Sequence, residues 1–167
     1  MSRDYQRAND DQAAREGFMR RAISLSEAAM ASGGGPFGAV IVTHSQIVGE
    51  GKNEVTTSND PTAHAEMLAI RAAAKKLKTY DLRGCVLYSS CEPCPMCLGA
   101  AFWARLDHVF YANTQEDAAA IGFDDATFYE ELSRAPEKRQ LKLERLLGEE
   151  AIAIFQQWEA DEHRRMY

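Results

Sequence analysis

The 167-residue chain is 46% hydrophobic and 26% charged, enough apolar material for one compact domain over residues 1–167 to bury a core without disulfides. Its 19 basic and 25 acidic side chains leave a net charge of −6, a poor footprint for holding a polynucleotide, so a small substrate is favoured over nucleic acid. No stretch reads as a transmembrane span, and the polar start Met1 to Asp11 lacks the apolar core of a signal peptide, so the expected location is cytoplasmic.

Residues 1–12 are polar and are expected to fray. Phe18, Ile23, Leu25, Ala28 and Ala29 recur at helical spacing, which predicts a first helix from Ala14 to Met30, ended by Ser32-Gly33-Gly34-Gly35-Pro36. The apolar run Phe37 to Val42 and the segment Ile47 to Gly51, joined by Thr43-His44-Ser45-Gln46, read as a β-hairpin. Asn53 to Asp60 is a polar loop. Pro61 is expected to open a second helix that buries Met67, Leu68, Ile70, Ala73, Ala74 and Leu77, and Arg71, Lys75, Lys76 and Lys78 form its solvated face.

Cys85 to Ser90 is a short buried strand, Cys91-Glu92-Pro93 a turn, and a third helix follows from about Pro95 to Arg105. Val109 to Ala112 is a fourth strand. Glu116 to Ala120 and Phe128 to Leu132 read as helical, with Gly122-Phe123-Asp124-Asp125 a loop between them. Gln140 to Leu147 fits a fifth strand or a helix start equally, and Glu149 to about His163 is a helix carrying Ile152, Phe155 and Trp158. This alternation predicts a three-layer α/β/α fold, with one central mixed sheet of about five strands and helices on both faces.

Two stretches carry the chemistry. His64-Ala65-Glu66 and Pro93-Cys94-Pro95-Met96-Cys97 offer one imidazole, two thiolates and one acid. One nitrogen and two sulfurs suit Zn²⁺, and three protein ligands leave the fourth tetrahedral position open, as a catalytic zinc requires. Pro95 suits a first helical position, which puts Cys94 at the N-cap and Cys97 one turn inside, where backbone N–H groups and the helix dipole favour thiolates. Residues two apart diverge around a helix, so Glu66 falls off the ligand stripe of His64 and beside the open position. H-x-E alone is nearly uninformative and C-x-x-C alone is common. Their combination is that of zinc-dependent nucleobase deaminases, in which a zinc-activated water attacks an amino-bearing ring carbon and the Glu moves protons. One zinc per chain is therefore expected on His64, Cys94 and Cys97, with Glu66 as proton shuttle; a purely structural zinc module would need no such acid.

Other candidates divide less sharply. Cys85 reads as a small core hydrophobe, and Cys91 is set aside as a ligand because the Pro-Cys-x-x-Cys pair already occupies the helix start. By spacing alone the second acid is Asp125, Glu130 or Glu131. Asn53 on its own reads as a turn-capping loop residue, Phe37 and Trp103 as core, and Tyr167 as a loose terminus.

Gly34-Gly35-Pro36-Phe37-Gly38-Ala39-Val40-Ile41-Val42, Asn53, the run Thr56 to Glu66, the run Ser90 to Ala100 and Gly122-Phe123-Asp124-Asp125 together resemble bacterial guanine deaminases of the cytidine-deaminase-like fold. The likeness runs from about the first helix to Glu131 and returns at Tyr167, and the Gly-Phe-Asp-Asp segment separates it from cytidine and tRNA-adenosine deaminases. It implies hydrolysis of guanine to xanthine and ammonia in purine catabolism, with Asp125 as the second acid near the departing amine. It also implies that Asn53 hydrogen-bonds the purine, that Ala65, Phe37 and Trp103 surround it, and that Tyr167 reaches in from the partner of a homodimer with an exchanged C-terminal segment. The alternative is a related zinc deaminase acting on an aminotriazine, on cytosine or cytidine, or on tRNA adenosine.

Overall fold

The computed structural model describes residues 12–123 and 125–167, which fall into two compact units, one through Ala126 and one from Thr127 to Tyr167. Of the segment expected to fray, residues 1–11 lie outside the described residues, and Gln12 already opens helix α1 (Gln12–Ala31). After it come β1 (Gly38–Thr43), β2 (Gln46–Lys52), a short helix α2 (Val55–Ser58), α3 (Ala65–Leu77), β3 (Val86–Cys91), α4 (Pro95–Trp103), β4 (His108–Asn113) and α5 (Gln115–Ala120).

The sheet order is β2-β1-β3-β4, with β1 antiparallel to β2 and β3, and β3 parallel to β4. The hairpin turn needs only His44 and Ser45, both at positive φ, the two-residue geometry whose twist matches that of its strands. Side-chain alternation sends Val40, Val42, Val86 and Tyr88 to one face, where Phe18, Met19 and Leu25 of α1 cover them. Ala39, Ile41 and Leu87 go to the other face, against Ala65, Ala69 and Ala73 of α3. The predicted three layers and mixed sheet are thus present, with helices on both faces.

Helix α3 lies directly against the β2 backbone at Gly49 and Gly51, where no side chain intervenes, while Val48 is buried in the same cluster. A Cβ on Gly51 would stand 2.0 Å from the Ala65 carbonyl oxygen, and one on Gly49 would stand 2.3 Å from that of Ala69. Two glycines facing three alanines at helical spacing therefore set where the first turn of α3 sits, and that turn carries the chemistry.

Three expectations are corrected. The second helix begins at Ala65, not Pro61, because Asp60 Oδ1 accepts from the Thr62 amide at 2.8 Å and from the Thr62 hydroxyl at 2.7 Å. That side-chain turn competes with helix and delays its start until His64. The supposed loop from Asn53 contains the helical turn α2. Lastly, the sheet has four strands among the described residues, not about five: Gln140 to Leu147 pairs with no strand, and Leu141, Leu143 and Leu146 are exposed. An extended segment without a neighbour has no ladder to join.

Helix α6 (Ala126–Ser133) starts at the last residue of the first unit; in the second unit a 3₁₀ turn spans Pro136–Lys138, and α7 (Gly148–Ala160) falls within the predicted last helix apart from its first residue. Its apolar residues Ile152, Ile154, Phe155 and Trp158 are all exposed. No helix among the described residues is long and apolar enough to cross a membrane.

Candidate active site

Two helix N-termini meet at the cluster of His64, Cys94 and Cys97. His64 is the N-cap of α3 and Cys94 the N-cap of α4, both with extended backbone, and Pro95 holds the first helical position as expected. His64 Nδ1 stands 3.6 Å from Cys94 Sγ and 3.6 Å from Cys97 Sγ. Zn–S bonds of about 2.3 Å and Zn–N bonds of about 2.0 Å at a tetrahedral angle put nitrogen and sulfur about 3.5 Å apart, so the donor set fits zinc in type and spacing. Among the described residues these three are the one group able to hold a metal ion. The sequence placed all three correctly.

The protonation pattern of the cluster suits the same group. The S–H of Cys97 and the His64 imidazole hold the Cys94 thiol well below the ordinary thiol range. The same contact keeps the remaining proton on Cys97, whose thiol is pushed up, while the hydrogen bond to Cys94 raises His64. A metal ion would replace the shared proton.

Glu66 is the second residue of α3 and only 6% exposed. Burial pushes its carboxyl above the ordinary range against the pull of its own backbone N–H. Its Oε1 accepts from the Ser89 hydroxyl at 3.2 Å, and its Oε2 meets Cys97 Sγ at 3.5 Å, so the acid lies beside the ligand cluster rather than in it.

A cavity of about 350 Å³ opens over this cluster, with Phe37, Asn53, Thr56, His64, Glu66, Cys94 and Asp125 among its lining residues. Phe37 packs edge-on against Phe123 at 4.8 Å, which brings the Gly122-Phe123 loop to the rim. Asp124 of that segment lies outside the described residues. Of the three proposed second acids, Asp125 lines the cavity. Glu131 is paired with Arg134 and accepts from the Gln140 amide at 2.6 Å, and Glu130 lies 3.6 Å from Arg134.

Asn53 is 5% exposed, and its Oδ1 accepts from the Gly35 amide at 3.1 Å and the Val55 amide at 3.3 Å. Two backbone donors fix that atom as the oxygen, so the donor end of the amide is the end left for the cavity. A ligand meeting Asn53 there must bring an acceptor.

Other expected substrate residues are placed differently. Ala65 is fully buried in the α3–sheet contact and is not among the cavity-lining residues. Trp103, 66% exposed at the end of α4, borders a separate depression with Gly99, Phe102 and Arg105. Tyr167 is 70% exposed in the second unit.

Cys85 is core, as expected; Cys91 is buried and lines the cavity without joining the ligand group, its Sγ donating to the Thr114 carbonyl at 3.6 Å. Sequence reasoning missed Thr56, Glu92, Ser89 and Ser90. For the serines a signal existed: two polar residues stand just before the last residue of the otherwise mostly apolar strand β3, and both are buried. Ser90 Oγ accepts from the Gly38 amide at 2.9 Å and so tethers the chain next to Phe37.

Comparison with known proteins agrees with this geometry. Residues 12–113 match the cytidine and deoxycytidylate deaminase zinc-binding region. Guanine deaminase of Bacillus subtilis (strain 168) is 50% identical over 153 residues, 91% of this chain and 98% of that protein. Its X-ray structure superposes with a TM-score of 0.88 over the same shares. The guanine deaminase structure from Nitrosomonas europaea is 32% identical with a TM-score of 0.66, covering 83% of this chain and 78% of that one. A tRNA-specific adenosine deaminase of Haemophilus influenzae is 40% identical over 116 residues, 66% of this chain and 67% of that protein.

Proposed function

This chain belongs to the cytidine and deoxycytidylate deaminase zinc-binding family, and from that membership we propose that it hydrolyses guanine to xanthine and ammonia. The observation that carries the substrate is the likeness to Bacillus subtilis guanine deaminase at 50% identity, which spans 98% of that protein. A cavity of base size and a net charge of −6 favour a free purine base over a polynucleotide.

His64, Cys94 and Cys97 would hold the zinc. When bound, zinc supplies a water activated as nucleophile at neutral pH. Glu66 takes a proton from that water and delivers it to the ring nitrogen beside the amino-bearing carbon, which makes the carbon electrophilic. Asp125, on the wall of the same cavity, relays the second proton: as the C–N bond breaks, the added hydroxyl loses its proton to become the carbonyl, Asp125 passes a proton to the amino group and is re-protonated from that hydroxyl, and ammonia leaves. Water adds, ammonia departs, and both acids end in their starting states. Asn53 orients the base by donating to an acceptor on it, and Phe37 packs against its face.

The active form is a homodimer in which 1–167 is one deaminase domain with its C-terminal segment exchanged between copies. Exposed Ile154, Phe155, Trp158, Leu141 and Leu143 support it, since so much apolar surface favours a covered state. Tyr167 then reaches the substrate across the dimer. The reducing cytoplasm suits the four free cysteines.

The decisive experiment is a panel of guanine, adenine, cytosine, their nucleosides, an aminotriazine and tRNA, read as ammonia release. Guanine is expected to lead. A zinc-loaded protein that leaves guanine intact while deaminating another member would overturn the substrate assignment.

A further inference from the structure

Ser89 stands where a hydrophobic residue would ordinarily be. It sits in β3, between β1 and β4, opposite Ala39 and Tyr111, so its backbone belongs to the ladders. Its side chain shares a face with Leu87, the face covered by α3, and the residue is 1% exposed. A hydroxyl so deep in a sheet costs stability unless it is hydrogen-bonded, and an alanine would carry no such cost. Its bond runs to the buried acid itself: Oγ donates to Glu66 Oε1 at 3.2 Å.

The other carboxylate oxygen, Oε2, faces Cys97 Sγ at 3.5 Å. Once Cys97 serves as a thiolate ligand its sulfur carries no proton, and that contact ceases to be a hydrogen bond. The Ser89 hydroxyl remains a donor in either condition. Without it, a carboxylate on a flexible two-carbon stem in the first turn of α3 has further rotamers open to it.

We infer that Ser89 is the positioning residue for Glu66, its hydroxyl holding Oε1 so that Oε2 is the oxygen that takes the proton from water and returns it to the ring. The inference rests on the proposed deamination for its kinetic consequence, but its structural consequence stands apart. Ser89 touches neither substrate nor metal and acts only through the acid.

The test compares Ser89→Ala, Ser89→Cys and Ser89→Thr in the full zinc-loaded chain. For Ser89→Ala, kcat on guanine is expected to fall roughly 10- to 100-fold, the range for losing a hydrogen bond to a charged group, with KM within about twofold. Zinc is expected to stay at one per chain, with a cooperative thermal transition. Ser89→Cys, near-isosteric with a weaker donor, should fall between alanine and wild type, and Ser89→Thr, if it folds, should recover kcat. Crystal structures supply the readout that needs no turnover: one Glu66 rotamer in the parent protein and several in Ser89→Ala. An unchanged kcat, a loss confined to KM or zinc content, or a single unmoved Glu66 rotamer in Ser89→Ala overturns the inference. If the parent protein leaves guanine untouched, the proposed function fails while the crystallographic comparison still decides the role of Ser89.

Discussion

Gly51→Ala is the sharpest probe of how the fold sets the site. The added Cβ would stand 2.0 Å from the Ala65 carbonyl oxygen and 2.6 Å from the Ala69 nitrogen, both backbone atoms with no rotamer to yield. Ordinary contact begins at 3.4 Å, so the first turn of α3 must retreat by 1.4 Å (3.4 − 2.0). Ala65 lies between His64 and Glu66, so both move with it. Misplacing a catalytic group by about 1 Å costs on the order of 100-fold in rate, and overpacking of this kind costs about 1–3 kcal/mol of stability. Gly49→Ala is the matched control: its Cβ would meet Ala69 O at 2.3 Å, one turn further from the ligands. Urea unfolding should show a similar loss of stability in both variants, while kcat/KM on guanine falls about 100-fold in Gly51→Ala and less than about 10-fold in Gly49→Ala. A folded Gly51→Ala with wild-type turnover, or equal activity losses in the two, would refute the claim that β2 positions the catalytic turn.

Three further outcomes are expected. Burial raises Glu66 above its reference value of 4.5, so the stability tied to its protonated form is complete below that value and is lost as pH rises through the raised one. Metal-free Glu66→Gln should therefore gain on metal-free wild type as pH is taken from about 4 to about 8 in urea titrations, and a pH-independent gap would contradict it. Asn53→Ala orphans the Gly35 and Val55 amides and should cost about 1–3 kcal/mol along with guanine turnover. Asn53→Asp keeps the acceptor and so should recover the stability but not the turnover, and recovery of both would show that the donor end is unused. Deleting Tyr167 should slow guanine turnover while circular dichroism and thermal unfolding stay unchanged; an unaltered rate removes its proposed role.

The local chemistry was legible because it is written in short range. A proline at a helix start, a cysteine before it and another one turn on need only α-helical geometry to put two sulfurs together, and Cys94 and Cys97 are placed that way. Continuous apolar runs of strand length, alternating with helices, likewise announced a sheet covered on both faces, as β1 and β3 bear out. Segment boundaries were less legible where side chains compete with the backbone, as at Asp60, or where a strand needs a neighbour, as at Gln140 to Leu147.

By itself the sequence pointed to zinc, to His64, Cys94 and Cys97 as its candidate ligands, to the adjacent acid and to the layered fold, from residue types, from short spacings at two helix starts and from apolar runs of strand length. Only the tertiary structure decided which groups share the cavity: Asn53 turned with its donor end inward, Asp125 on the wall rather than Glu131, Ser89 behind Glu66, and Trp103 outside. These pairings join residues far apart in the chain, and the place of Glu66 among them depends on how α3 sits against two glycines, a contact that no local pattern encodes.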